Sequence, residues 1–491
     1  MSAPGRGARA GLFVLAFGSG FATLVIEIAG ARLIAPVYGL SAVPWTAVIG
    51  VILTALAVGS WAGGRLADRG APPLAALLAL AGLTAALPLA GGALPWAARD
   101  ALGFVAGALA SALVLFAPSV LCLGAVVPYL VRADTESLGA VGRRAGEVSA
   151  AATAGAIAGT FATGFVLLPL LPLPLLLAVT GVGLLALAAL AARLLGGGAR
   201  PRDLALAALL LTGAGAAAAG APDGALHAEQ TLYASVVVRE REQDGRVVRE
   251  LLQNGGSSSA EYVDTGASAH AYVGASLRAL APALEGARSA LVLGGGALTL
   301  PVALVERHPG LDVHVVELDP AVTELARRYF AYGRAPRPRI HVEHGDARVW
   351  LREAEGLYDV VYLDVFDHLV TVPWTLVTVE ALEAVAGHLR PGGLFAANVL
   401  SPLEGPGVAF LERFLSTLEE VFPETRVLRA QPRLARDVTQ NLVVLAGPAG
   451  ALPDGGLPRA AVRAAGPPLT DARAPVEYLQ ARVFLAGLGW S

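Results

Sequence analysis

Two aspartates three residues apart, Asp364 and Asp367, close the segment Tyr358-Asp-Val-Val-Tyr-Leu-Asp-Val-Phe-Asp367 just after a short apolar run. Carboxylates past the end of a buried strand suit chemistry on a cation, because a protonated amine cannot attack carbon until a neighbouring base draws its proton away. Asp364 is the candidate for that base. Asp367 is the candidate for pairing with a cationic amine and fixing its approach, and such positioning supplies much of a transfer enzyme's acceleration. Upstream, Ser289-Ala-Leu-Val-Leu-Gly-Gly-Gly296 reads as a buried strand entering a glycine turn, with Leu298–Arg307 continuing as a helix. This arrangement brings the backbone N–H groups of Gly294, Gly295 and Gly296 close to a nucleoside cofactor. Glu317 ends the next strand, 21 residues past Gly296, where an acidic side chain can accept both ribose hydroxyls. Asp346 ends a third strand and stands where it could take an adenine amino group.

Such a set needs strands whose carboxyl ends converge. Val313–Glu317, Ile340–Ala347, Tyr358–Asp364 and Gly393–Val399 alternate with amphipathic helices, and Glu424–Arg429 with Asn441–Leu445 supplies a last antiparallel pair. The expected architecture is a seven-stranded, Rossmann-like methyltransferase fold over 276–450, with a tail over 451–491. Before it, Tyr233–Arg239 and Val247–Gln253 flank Asp244-Gly245 and predict a small β-hairpin subdomain over 229–275.

The first 222 residues are of another kind. The 491-residue chain is 55% hydrophobic and 15% charged, and the charge is crowded into the second half. A membrane helix requires about 20 apolar residues. Seven stretches meet or approach that length, near 11–34, 44–67, 72–95, 103–130, 147–170, 173–194 and 203–221, and predict an all-α transmembrane bundle in the lipid bilayer. The first is too long, and too well followed by others, to be a cleaved leader. Arg6 and Arg9, Arg65 and Arg69, Arg132, Arg143 and Arg144, and Arg193, Arg200 and Arg202 all mark one side, the cytoplasm. A seventh crossing would carry the C-terminal domain outside. Reading the last stretch as interfacial or re-entrant keeps that domain cytoplasmic, and this is the expectation. On the first span, Glu27 with Arg32 is expected as a pair near a helix end or as a site for a cationic solute. Gly59-Ser-Trp-Ala-Gly-Gly-Arg-Leu-Ala-Asp-Arg69 resembles the loop between the second and third helices of major facilitator transporters.

Net charge of −3 leaves no basic footprint for nucleic acid. Cys122 is the one cysteine, so no disulfide forms within the chain and no cysteine cluster holds metal. His270, His308, His314, His341, His344 and His368 do not repeat at metal-ligand spacing, are read as surface or loop residues, and no metal is expected.

Over residues 229–446 the chain resembles the spermidine synthase family of polyamine aminopropyltransferases, in the membrane-fused form with an N-terminal multi-span domain. The closing Leu469-Thr-Asp-Ala-Arg-Ala-Pro-Val-Glu477 also looks like that form. The resemblance implies that Glu317 holds the ribose, Asp346 with Ala347 the adenine, Asp364 the attacking amine, and Asp367 with Tyr272 the amine pocket. The implied reaction moves an aminopropyl group from decarboxylated S-adenosylmethionine to a polyamine and releases methylthioadenosine. The donor is then a co-substrate, with no permanently bound cofactor, and the family leaves room for a homodimer. The departures lie mainly in the substrate pocket. Synthases continue the glycine turn with Asp-Gly-Gly, whose Asp contacts the donor ammonium, and this chain has Ala297-Leu298-Thr299. Their Tyr-Gln is Tyr233-Ala234, their Asp-Gly is Asn254-Gly255, their Tyr-His-Glu is Tyr272-Val273-Gly274, and their Asp-Ser-x-Asp-Pro is Asp364-Val-Phe-Asp-His368. Because Ala297 removes one anchor of the decarboxylated donor, an S-adenosylmethionine-dependent methyltransferase stays open as an alternative. A non-catalytic polyamine transporter or sensor is a third reading, for which the bundle conducts rather than anchors.

Overall fold

The computed structural model describes the chain apart from residues 1–5, 39–41, 70–71, 136–139, 197–199, 219–223, 367–370, 451 and 486–491. The chain divides into two compact units, residues 1–221 with 230–232, and residues 222–229 with 233–491.

The first unit is helical: α1 (Arg6–Tyr38), α2 (Ala42–Arg69), α3 (Leu74–Thr84), α4 (Leu87–Ala90), α5 (Leu94–Leu115), α6 (Ala117–Gly124), α7 (Val126–Asp134), α8 (Val141–Ala162), α9 (Leu168–Leu170), α10 (Leu173–Leu195) and α11 (Pro201–Ala218). Six helical runs among the described residues are long and apolar enough to cross a membrane: Gly7–Tyr38, Pro44–Arg69, Leu94–Leu115, Ala117–Asp134, Val141–Leu170 and Leu173–Leu195. The list differs from the sequence reading for local reasons. The 72–95 stretch breaks into α3 and α4, with Pro88 inside the first turn of α4. The 103–130 stretch runs through parts of three helices, and a kink at Gly103, φ +77°, lies within α5. The 203–221 stretch forms α11, which opens on Arg202-Asp203, ends in small residues and is not among the six.

Close helix contact explains the small residues. A β-carbon on Gly155 of α8 would collide with the carbonyl of Phe17 on α1, and one on Gly159 would lie 2.6 Å from the carbonyl oxygen of Phe21. Glycines four apart let two backbones meet, which is how apolar helices associate without a hydrophobic drive between them. Gly59 and Gly63 do the same for α2 against α6 and Ala125. The Gly59–Arg69 segment is therefore the last part of a helix and not an inter-helix loop. Arg32 donates to the carbonyls of Thr231 (2.9 Å) and Leu232 (2.6 Å) instead of pairing with Glu27. At the arginine-marked end, buried Asp134 lies 3.3 Å from the Arg9 guanidinium and 3.4 Å from that of Arg144, joining α1, α7 and α8.

The second unit opens with a four-stranded sheet, β1 (Ala225–Gln230), β2 (Ser235–Gln243), β3 (Arg246–Gln253) and β4 (Gly256–Tyr262), in sequential order, in which β3 runs antiparallel to both β2 and β4. The expected hairpin is its central pair. Asp244 and Gly245 both take positive φ, the geometry of a two-residue turn that matches strand twist. After α12 (Ala271–Leu284) come β5 (Ser289–Leu293), α13 (Thr299–Arg307), β6 (Asp312–Glu317), α14 (Pro320–Tyr329), β7 (Ile340–His344), α15 (Ala347–Glu353), β8 (Tyr358–Leu363), α16 (Val379–Gly387), β9 (Leu389–Ser401), α17 (Ala409–Val421), β10 (Glu424–Arg429), β11 (Gln440–Gly447) and α18 (Val476–Leu485). The strands form one mixed sheet in the order β10-β11-β9-β8-β5-β6-β7, in which β11 runs antiparallel to both β9 and β10. Strand parity fills both faces. Ala290, Val292, Tyr362, Ala396 and Val443 pack toward α12 and α13, and Leu291, Leu293, Val361, Phe395 and Val444 pack toward α16 and α17.

Candidate active site

The carboxyl ends of β5 to β9 open into a cavity of about 760 Å³, roofed by residues of β2 to β4 and by the start of α12. This is where an open parallel sheet whose strand order reverses leaves room for a ligand. Gly294, Gly295, Gly296, Glu317, Asp346, Ala347, Asp364 and Tyr272 all line it. Asp367 lies outside the described residues.

The glycine turn is built for close approach. Gly294 has φ +89°, and a β-carbon there would collide with the backbone carbonyl of Asp364. Gly296 has φ +50°, and its β-carbon would lie 2.6 Å from the Ser259 hydroxyl. The next residues depart from a glycine-rich continuation at a structural cost. Leu298 holds φ +60° while fully buried, in a region that disfavours an L-residue by about 1–2 kcal/mol. Ala297, also buried, donates its N–H to Ser259 Oγ at 2.9 Å.

Glu317 joins the turn to the end of β6. Its Oε2 accepts from the N–H groups of Gly295 (2.9 Å) and Gly296 (3.0 Å), and Oε1 accepts from that of Asp319 (3.0 Å). Burial pushes its carboxyl up, and those three N–H groups pull it back. A carboxylate offers about four acceptor sites, so the three bonds leave capacity for a hydroxyl from the cavity. Asp346 has a second duty: its Oδ1 caps α15, accepting from the N–H groups of Arg348 (2.7 Å) and Val349 (3.1 Å). Its described hydrogen bonds use Oδ1 alone.

Asp364 is held from two sides. Tyr272, on α12, donates its hydroxyl to Oδ2 at 2.8 Å, and Asn398, on β9, donates its amide to Oδ1 at 3.0 Å. Burial raises the Asp364 carboxyl to about 6, against the pull of both donors. Burial and the adjacent carboxylate lift the Tyr272 hydroxyl well above its ordinary value, so it stays protonated and donates. A base with a value near 6 is ionised at neutral pH yet takes up a proton readily, which is the compromise a general base requires.

Several cavity residues were missed in the sequence. Asn398 is a polar interruption of Leu394-Phe-Ala-Ala-Asn-Val-Leu400, and that interruption was its one visible signal. Asn441 donates to Asn398 Oδ1 at 3.0 Å. His270, expected at the surface or in a loop, lines the cavity with its Nε2 3.1 Å from Ser257 Oγ. Burial holds its imidazole below the usual value, so it is neutral at neutral pH.

With this geometry established, likeness to known proteins decides the family. Residues 278–431 match the spermine/spermidine synthase domain. The polyamine aminopropyltransferase of Mycobacterium tuberculosis is 33% identical over 402 residues, 75% of this chain and 74% of that protein. This chain belongs to the polyamine aminopropyltransferase family. It is accordingly an enzyme of the aminopropyltransferase class, a family that uses decarboxylated S-adenosylmethionine as co-substrate. Likeness over three quarters of the chain exceeds the second unit, so it extends into the helical half. A probable polyamine aminopropyl transferase of Bifidobacterium longum is 34% identical over 152 residues, 30% of this chain, and the match spans about a third (32%) of that protein. A probable spermidine synthase of Corynebacterium glutamicum, solved as a crystal structure, aligns with a TM-score of 0.40 at 23% identity, over 46% of this chain and 81% of that one.

Proposed function

We propose that the chain is a membrane-anchored aminopropyltransferase in which Asp364 receives the proton of the acceptor amine. The observation that carries this is the Asp364 carboxylate, held by Tyr272 and Asn398 directly against the glycine turn and raised to about 6. The donor adenosyl group fits the observed cavity: Gly294, Gly295 and Gly296 line it with backbone alone, and Glu317 keeps acceptor capacity for the ribose. Asp346 takes the adenine amino group through the oxygen not engaged in capping, with Ala347 beside it.

In the transfer, the amine nitrogen forms a bond to the aminopropyl carbon and the carbon–sulfur bond breaks. The bonding pair stays on sulfur, leaving neutral methylthioadenosine, and the amine proton passes to Asp364. The role of Tyr272 is to keep the carboxylate facing the cavity. A polyamine is the acceptor class, and Asp367 pairs with its second ammonium. Ala297 supplies no charge for the donor ammonium, so that end of the donor is held by shape and by its own hydration.

For the first unit the reading is a multi-pass anchor in the cell membrane. Arg6 and Arg9, Arg65 and Arg69, and Arg132, Arg143 and Arg144 mark its cytoplasmic side. The chemical reading is tested by following methylthioadenosine release from decarboxylated S-adenosylmethionine by the full-length protein with polyamines. Release that disappears in Asp364→Asn supports it, and undiminished release in that variant overturns it.

A further inference from the structure

Asp364 is fixed by an amide whose own orientation is fixed by another. Asn398 and Asn441 are diagonal neighbours on one face of the β9–β11 pair, since Asn398 stands opposite Val443 and Asn441 opposite Leu400. Asn398 is 3% exposed, so both ends of its amide need partners inside the protein. Its Nδ2 donates to Asp364 Oδ1 and its Oδ1 accepts from Asn441 Nδ2, both at 3.0 Å. Turned around, the same amide would set its oxygen against the carboxylate, acceptor facing acceptor. Asn441 makes that reversal unfavourable, because it presents a donor where the reversed amide would present its own.

We infer that Asn441 is a positioning residue for the transfer reaction: by donating to Asn398 it fixes which end of that amide meets Asp364, and so sets how readily Asp364 gives and takes a proton. The inference rests on the proposed role of Asp364. Among the described residues, the titratable groups beside Asp364 are Tyr272 from α12 and Tyr362 from β8, with Tyr233, Arg241, His270, Glu317, Asp319 and Asp346 elsewhere on the cavity wall. Tyr272 and Tyr362 are lifted well above their ordinary values by burial, so they stay neutral through the working range. The amide pair is then the part of the surroundings whose donor direction a single substitution can reverse.

The test is the pH profile of kcat/KM for methylthioadenosine release by the full-length enzyme. Asn441→Asp replaces the donor by an acceptor, and the acid limb moves up by roughly half to one pH unit, the worth of about one net hydrogen bond. Asn441→Gln keeps a donor and restores the limb toward wild type. If Asn441→Asp does not fold, Asn441→Leu removes the donor without adding charge and gives a smaller upward shift. On an Asn398→Leu background, where there is no amide to steer, Asn441→Leu produces no further shift. An Asn441 variant with lower activity and an unmoved acid limb overturns the inference, as does an equal shift in the Asn398→Leu background. Activity retained by Asp364→Asn overturns the role of Asp364 and this inference together. An inactive Asp364→Asn beside an unmoved limb overturns this inference alone.

Discussion

Replacing Tyr272 by phenylalanine removes one of the two donors that hold Asp364 and changes little else, because the ring stays in a site where it is only 6% exposed. A hydrogen bond to a charged acceptor is worth about 1.5–3 kcal/mol, and one pH unit corresponds to about 1.4 kcal/mol. The loss moves the Asp364 carboxyl from about 6 to roughly 7 or 8. At pH 7 the ionised fraction falls from about nine-tenths to between about one-half and one-tenth. The variant is therefore expected to lose roughly 2- to 10-fold in kcat/KM at pH 7 and to approach wild type by about pH 9. The acceptor amine titrates as well, so the ratio of variant to wild type at each pH is the informative quantity. A deficit of the same size from pH 6 to pH 9.5 would refute the reasoning and make Tyr272 a substrate contact rather than a determinant of the base.

Three further outcomes are expected. Asp364 has a folded value near 6, above its ordinary 3.8, so its contribution to stability is full at low pH and is lost as pH rises through 6. The loss at neutral pH is up to about 3 kcal/mol, so Asp364→Asn should raise the unfolding midpoint of the detergent-solubilised protein at pH 7.5, with the gain fading below about pH 5; a gain independent of pH would count against this. Gly294→Ala forces a side chain to φ +89° and into the Asp364 carbonyl, so calorimetry should show methylthioadenosine binding lost while the helical unit keeps its thermal transition. Gly155→Ala pushes α8 off the Phe17 carbonyl of α1 and should cost the helical unit about 1–3 kcal/mol, read as a lower melting midpoint with kcat unchanged.

What could be read from the sequence follows from how local each signal is. β6, β8 and β10 lie within a residue of their expected limits, whereas β7 stops at His344, three residues short of its expected end, because Gly345 breaks the run and Asp346 caps α15. The glycine turn and Glu317 were legible because they are one strand, one turn and one spacing. β4 was not, because Gly256-Ser-Ser-Ser-Ala-Glu-Tyr262 has loop composition and becomes a strand only by pairing with β3. The Asn441 to Asn398 to Asp364 chain was hidden because it links three strands through a strand order that no sequence spacing encodes. The helical half was legible in its apolar stretches, one of which was expected to begin at 103, where Arg99-Asp100 end and the kink lies, but not in the division between α6 and α7, which leaves hydropathy almost unchanged.

The central claim is that Asp364 serves an amine acceptor of an aminopropyl group. It is tested most directly by incubating the purified full-length protein with decarboxylated S-adenosylmethionine and a panel of di- and polyamines, then reading acceptor masses by mass spectrometry beside Asp364→Asn. The account expects one or more acceptors to gain an aminopropyl group with wild type and none with the variant. Donor bound without any gain in acceptor mass, or the same gain in both proteins, would contradict it.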